Sequence, residues 1–157
     1  ELEPKHYNAW SHRLFVAKLF NLFSTGSELA FTENIIGKDP YNNSAWSYRQ
    51  YAFRNSNQST HSELVFVMNH IKLALANESP WVYAQSLSGW ESDLDFTDFC
   101  QTLFLSNSEC VPLALLMVDF FIKHSSPSSA ISILHSLARI DPIREYLYNG
   151  KIRQLEQ

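Results

Sequence analysis

The sequence predicts an all-α protein: an alpha-alpha superhelix, a right-handed solenoid of antiparallel helix hairpins with repeats of about 35 residues. Three observations carry this. Trp10, Trp46 and Trp81 stand 36 and 35 residues apart. They sit in related stretches, Tyr7-Asn8-Ala9-Trp10-Ser11-His12-Arg13, Asn42-Asn43-Ser44-Ala45-Trp46-Ser47-Tyr48-Arg49 and Asn77-Glu78-Ser79-Pro80-Trp81-Val82-Tyr83. Trp-x-x-Arg is intact in the first two, and Ala84 replaces the arginine in the third. Finally, no segment sustains period-2 alternation, and 4 Gly and 6 Pro are few for an all-β chain full of tight turns.

Each related stretch reads as a helix start. Asn8, Ser44 and Ser79 lie two residues before each Trp, and each side chain can accept a bond from a free N–H of the first turn. Pro80 suits such a start because it has no N–H to leave unpaired. The first helix is expected over residues 8–23, where Trp10, Phe15, Leu19, Leu22 and Phe23 are too many for one narrow stripe. Ser24-Thr25-Gly26-Ser27 reads as a turn, with Ser27 capping a second helix that carries Leu29, Phe31, Ile35 and Ile36. Gly37 and Asp39-Pro40 end it. The cycle then repeats: a helix over 44–53, a polar loop over 54–59, and a helix capped by Thr60 or Ser62 carrying Leu64, Val67, Ile71 and Leu75. A third opening helix starts at Ser79 and ends near Gly89. Beyond it the period fades into helices expected over 96–105, 112–123, 129–140 and 143–155. The run 112–123 is dense in apolar residues but too short to span a bilayer. The last helix is expected to turn a polar face outward and cap the array.

The expected organisation is one helical-repeat domain over 1–157, with repeats at 4–38, 39–76 and 77–105 and degenerate helices with a cap at 106–157. The chain opens at Glu1 without Met and enters a repeat almost at once, so it is expected to be part of a longer subunit.

With 45% apolar and 14% aromatic residues in 157, the chain is long and apolar enough for a real core. A formal charge of −4 leaves no basic footprint for nucleic acid. No stretch of 18 apolar residues offers a membrane span. Cys100 and Cys110 give no disulfide framework, which suits reduced thiols and a cytoplasmic setting. The histidines make no metal pattern, since His6/His12 and His61/His70 lack i, i+4 spacing. Gly-rich phosphate loops and nucleophile elbows are absent, so no catalytic residue is expected.

Trp10, Trp46 and Trp81 read as anchors between helix pairs, each ring removing roughly 150–250 Å² from water. Arg13 and Arg49 recur with the repeat, whereas one ligand needs one site. They are expected to bond carbonyls or a carboxylate of the neighbouring repeat. Lys5, His6, Tyr7 and Asn8 form a polar cluster at the positive end of the first helix, either a solvated, frayed end or a seat for a phosphate-bearing ligand. Asn42-Asn43-Ser44, Asn57-Gln58-Ser59 and Asn77-Glu78-Ser79 match the glycosylation sequon, but two coincide with helix starts, for which capping is the better account.

The stretch Lys5-His6-Tyr7-Asn8-Ala9-Trp10-Ser11-His12-Arg13 resembles the prenyltransferase alpha-subunit repeat, whose signature looks like Lys-Asn-Tyr-x-x-Trp-x-x-Arg. So do Asn42-Asn43-Ser44-Ala45-Trp46-Ser47-Tyr48-Arg49 and Ile71-Lys72-Leu73 followed by Asn77-Glu78-Ser79-Pro80-Trp81. The nearest resemblance is to the alpha subunit shared by protein farnesyltransferase and protein geranylgeranyltransferase type I, firm over residues 5–81 and loose beyond. It implies a crescent of helix hairpins around a separate beta subunit that holds zinc and most of the isoprenoid and peptide pockets. The complete enzyme, with zinc and magnesium as its expected ions, would transfer a farnesyl or geranylgeranyl group to the cysteine of a C-terminal CaaX sequence. The alpha subunit would support this without being catalytic alone, lending polar groups near the isoprenoid diphosphate. Lys5, Tyr7 and Asn8 are the candidates the resemblance implies. Tyr7 matches a position facing the diphosphate. Lys5 sits one repeat after the family's diphosphate-contacting lysine and does not inherit its role outright. Asn8 stands where the family commonly has His, which keeps a polar side chain and removes a possible cation. Leu29-Ala30-Phe31-Thr32 echoes the Rab geranylgeranyltransferase alpha subunit, the alternative within the family. A non-enzymatic helical-repeat scaffold binding a protein partner is the alternative from another class.

Overall fold

The computed structural model describes residues 7–157. Among them the regular structure is entirely helical: α1 (Tyr7–Leu19), α2 (Ser27–Lys38), α3 (Asn43–Arg54), α4 (Thr60–Leu73), α5 (Glu78–Gln85), α6 (Leu94–Ser106), α7 (Val111–Lys123), α8 (Pro127–Ile140) and α9 (Glu145–Leu155). Short 3-10 turns lie at Leu22–Thr25, Trp90–Ser92 and Pro142–Arg144. The chain divides into two compact units, one ending at Ser88 and the other formed by Gly89–Gln157.

In the first unit, α1 stops about one turn earlier than its apolar residues suggest. Asn21 adopts φ 52°, a left-handed conformation that asparagine tolerates better than most residues, and a 3-10 turn follows. Gly26, at φ 74°, leads straight into α2. Ser27 is therefore the first residue of α2 and not its cap; its hydroxyl donates back to the Leu22 carbonyl at 3.3 Å.

The caps of the later helices also differ from expectation. Asn42 caps α3, its side chain accepting from the Ala45 N–H at 3.1 Å, and Asn77 caps α5, accepting from the Ser79 N–H at 3.2 Å. Trp46 and Trp81 consequently fall at the fourth helical position, and Ser44 and Ser79 lie inside their helices. Ser59 caps α4 in place of Thr60 or Ser62, accepting from the Ser62 N–H at 3.2 Å. Asn8 lies within α1 and is exposed, so it is no cap. The physical reason is visible at Asn77, whose amide does a second task no serine could reach: it donates to the Pro40 carbonyl at 2.7 Å. Both asparagines are buried, which closes these two sequons to a glycan. Asn42→Ala is expected to cost about 1–2 kcal/mol and Ser44→Ala less than about 0.5 kcal/mol, read as shifts in the urea unfolding midpoint.

α2 packs on α3, α4 on α5, and the opening helices α1, α3 and α5 pack in series. Ala17, Phe23, Leu29, Tyr48 and Ala52 form one buried cluster, with Trp10, Leu14 and Tyr51 half-buried against it.

In the second unit α6, α7, α8 and α9 pack in chain order. Pro112 and Pro127 sit in the first turns of α7 and α8, where a missing N–H costs nothing. At 13 residues α7 is about 20 Å long. No described helix is long and apolar enough to cross a membrane. Trp90, outside the repeat signature, is buried edge-on against Phe96 with ring centroids 6.2 Å apart. The outer face of α9 is mixed: Tyr148 and Ile152 form its buried i, i+4 stripe, while apolar Tyr146 and Leu147 are exposed together with Glu145, Arg153 and Gln154, and Ile143 is exposed in the 3-10 turn before it. Burial pushes the Cys100 thiol up from its ordinary pKa. A thiol reagent should label the half-buried Cys110 first and reach Cys100 only on unfolding, which mass spectrometry of a labelling time course checks.

Candidate functional site

The residues of the repeated stretches assemble into a clamp that occurs twice. In the first copy Arg13 on α1 makes a two-pronged bond to Glu28 on α2, Nε to Oε2 at 2.7 Å and a terminal nitrogen to Oε1 at 2.9 Å. Tyr48, from the next opening helix α3, donates its O–H to Glu28 Oε2 at 2.6 Å. The Arg13 guanidinium lies 3.3 Å over the Phe31 ring, and Trp10 packs on Phe31 and Tyr48. In the second copy Arg49 binds Glu63 through Nε and, at 3.0 Å, through a terminal nitrogen. Tyr83 donates to Glu63 Oε1 at 2.7 Å, Phe66 lies 3.6 Å from the guanidinium, and Trp46 packs on Phe66 and Tyr83. Each position recurs after 35 or 36 residues.

The copies differ in depth. The Arg13 side chain is 35% exposed and that of Arg49 only 4%. Arg49 also reaches back to α2, donating to the Leu29 carbonyl at 2.9 Å and to Thr32 Oγ1 at 3.1 Å. One guanidinium thus ties α2, α3 and α4 together. Ala84 ends the series, having no side chain to make a third clamp.

Burial first, and then the adjacent carboxylates Glu28 and Glu63, push the Tyr48 and Tyr83 hydroxyls well above their ordinary pKa. A group whose folded pKa is raised contributes stability that is complete below its unfolded value, about 10 for Tyr, and is lost as pH rises above it. The unfolding midpoint should therefore fall as pH is taken past about 10, and Tyr83→Phe should blunt that fall.

Of the polar candidates at the chain's start, Lys5 lies outside the described residues. Of Tyr7 only the backbone, as first residue of α1, is described, and Asn8 is exposed on the first turn of α1. Trp46 and Trp81 are buried, Trp10 half-buried. The Trp46 and Trp81 N–H groups donate to Pro40 and Leu75 carbonyls at 2.8 and 2.9 Å, each six residues upstream.

Above the second clamp a groove of about 450 Å³ opens between α3 and α5. Tyr41, Asn43, Trp46, Ser47 and Gln50 form one side, and Asn77, Glu78, Ser79, Val82 and Tyr83 the other. Trp46, Asn77 and Tyr83 are its buried floor, and Tyr41 and Val82 are exposed at its rim. Among the described residues no three His, Cys, Asp or Glu side chains converge to hold a metal ion.

Comparison with known proteins fits this frame. Residues 26–56 match the model of the protein prenyltransferase alpha subunit repeat. That span runs from α2 through α3 and holds Glu28, Asn42, Trp46, Tyr48 and Arg49. A chain of Candida albicans protein geranylgeranyltransferase-I, solved in complex with GGPP, shares the fold with a TM-score of 0.80 at 22% identity, over 97% of this chain and 54% of that one. The present chain thus spans about half the length of that chain. No curated protein sequence matches it. The resemblance read in Trp-x-x-Arg therefore stands as a match of residues 26–56 to that repeat, on an all-α fold shared with the geranylgeranyltransferase-I chain.

Proposed function

We propose that this chain acts as the alpha subunit, or a part of it, in a heterodimeric protein prenyltransferase of the farnesyltransferase and geranylgeranyltransferase type I class. The carrying observation is the prenyltransferase alpha subunit repeat at residues 26–56 on a backbone shared with a chain of a geranylgeranyltransferase-I. In this reading the clamps stiffen a scaffold that docks a beta subunit. The isoprenoid diphosphate and the CaaX protein bind where the two subunits meet. In this reading zinc is held by the beta subunit, where it would supply activation of the substrate thiolate. This chain's own contribution is polar: Lys5, Tyr7 and Asn8 near the departing diphosphate, where donors aimed at developing charge lower the barrier. The proposed setting is the cytoplasm.

The test is reconstitution. The chain is combined with a candidate beta subunit, a CaaX peptide and either farnesyl or geranylgeranyl diphosphate, and product is followed by mass spectrometry. Transfer that needs both polypeptides and stops on zinc chelation supports the reading. Loss of dependence on this chain, with the beta subunit equally active alone, would overturn it.

A further inference from the structure

We draw no further inference here: the strongest candidate, the exposed apolar patch of Phe15, Leu19 and Phe20 at the end of α1, carries nothing because nothing in the structure shows what covers it.

Discussion

Arg49→Ala is expected to destabilise the first unit by about 3–5 kcal/mol, the usual cost of removing one partner of a buried pair. Glu63 would keep only the Tyr83 hydroxyl among the bonds described above, while burial still opposes its charge. The Leu29 carbonyl and Thr32 hydroxyl would also lose a donor, and Phe66 its stacked guanidinium. Arg13→Ala makes the same chemical change in the first copy but should cost less, about 1–3 kcal/mol, because water reaches a side chain that is 35% exposed. Replacing both charges at once, Arg49→Met with Glu63→Leu, should recover much of the single-variant loss, since the uncompensated charge goes too. Urea unfolding of the parent, both single variants and the double variant measures all of this. A cost at Arg49 no larger than at Arg13 would show that the second clamp is not the tie among α2, α3 and α4.

Trp46→Ala should be of similar size, about 3–5 kcal/mol. The ring is buried, contacts Phe66, His70 and Tyr83, and also gives its N–H to Pro40. Its removal opens a cavity between two opening helices and leaves the Pro40 carbonyl to the Asn77 amide alone among the bonds described above. Trp46→Phe keeps most of the packing and loses the hydrogen bond, so it should cost clearly less. Trp10→Ala should also cost less, because that ring is only half-buried. Equal losses at Trp10 and Trp46 in the same unfolding series would count against this grading by depth.

The tryptophans and arginines were legible because large aromatics recurring at a fixed spacing have few roles other than an anchor between repeats. Of their partners the kind was expected, carbonyls or a carboxylate of the neighbouring repeat, but the place was not. Glu28 and Glu63 lie in the arginines' own repeats, and the Leu29 carbonyl bonded by Arg49 is the one such group from a neighbour among the bonds described above. Glu28/Glu63, Tyr48/Tyr83, Phe31/Phe66 and Asn42/Asn77 are all offset by 35 residues, so the signal was present in the chain. A glutamate in the first turn of a helix, however, has an ordinary reading as a solvated group near the positive end of the dipole. Only the packing of α2 on α3 and α4 on α5 turns those carboxylates inward and makes them the centre of each clamp. The caps failed for a related reason. Ser44 and Asn42 are both good capping residues, and the choice between them depends on burial, which the local sequence does not carry. The last helix was expected to turn a wholly polar face outward, whereas Tyr146 and Leu147 are exposed there and the i, i+4 pair Tyr148 and Ile152 is buried. The groove was not foreseen at all, because its two walls come from residues about 35 positions apart whose meeting follows from α3 packing on α5.

The most direct measurement of the central claim is size-exclusion chromatography with light scattering on a mixture of this chain and a farnesyltransferase or geranylgeranyltransferase type I beta subunit. The account predicts a single co-eluting species at one-to-one stoichiometry, weakened by Arg49→Ala in proportion to its loss of helical structure. Separate elution of the two folded polypeptides, each at its own monomer mass across a range of concentrations, would contradict it.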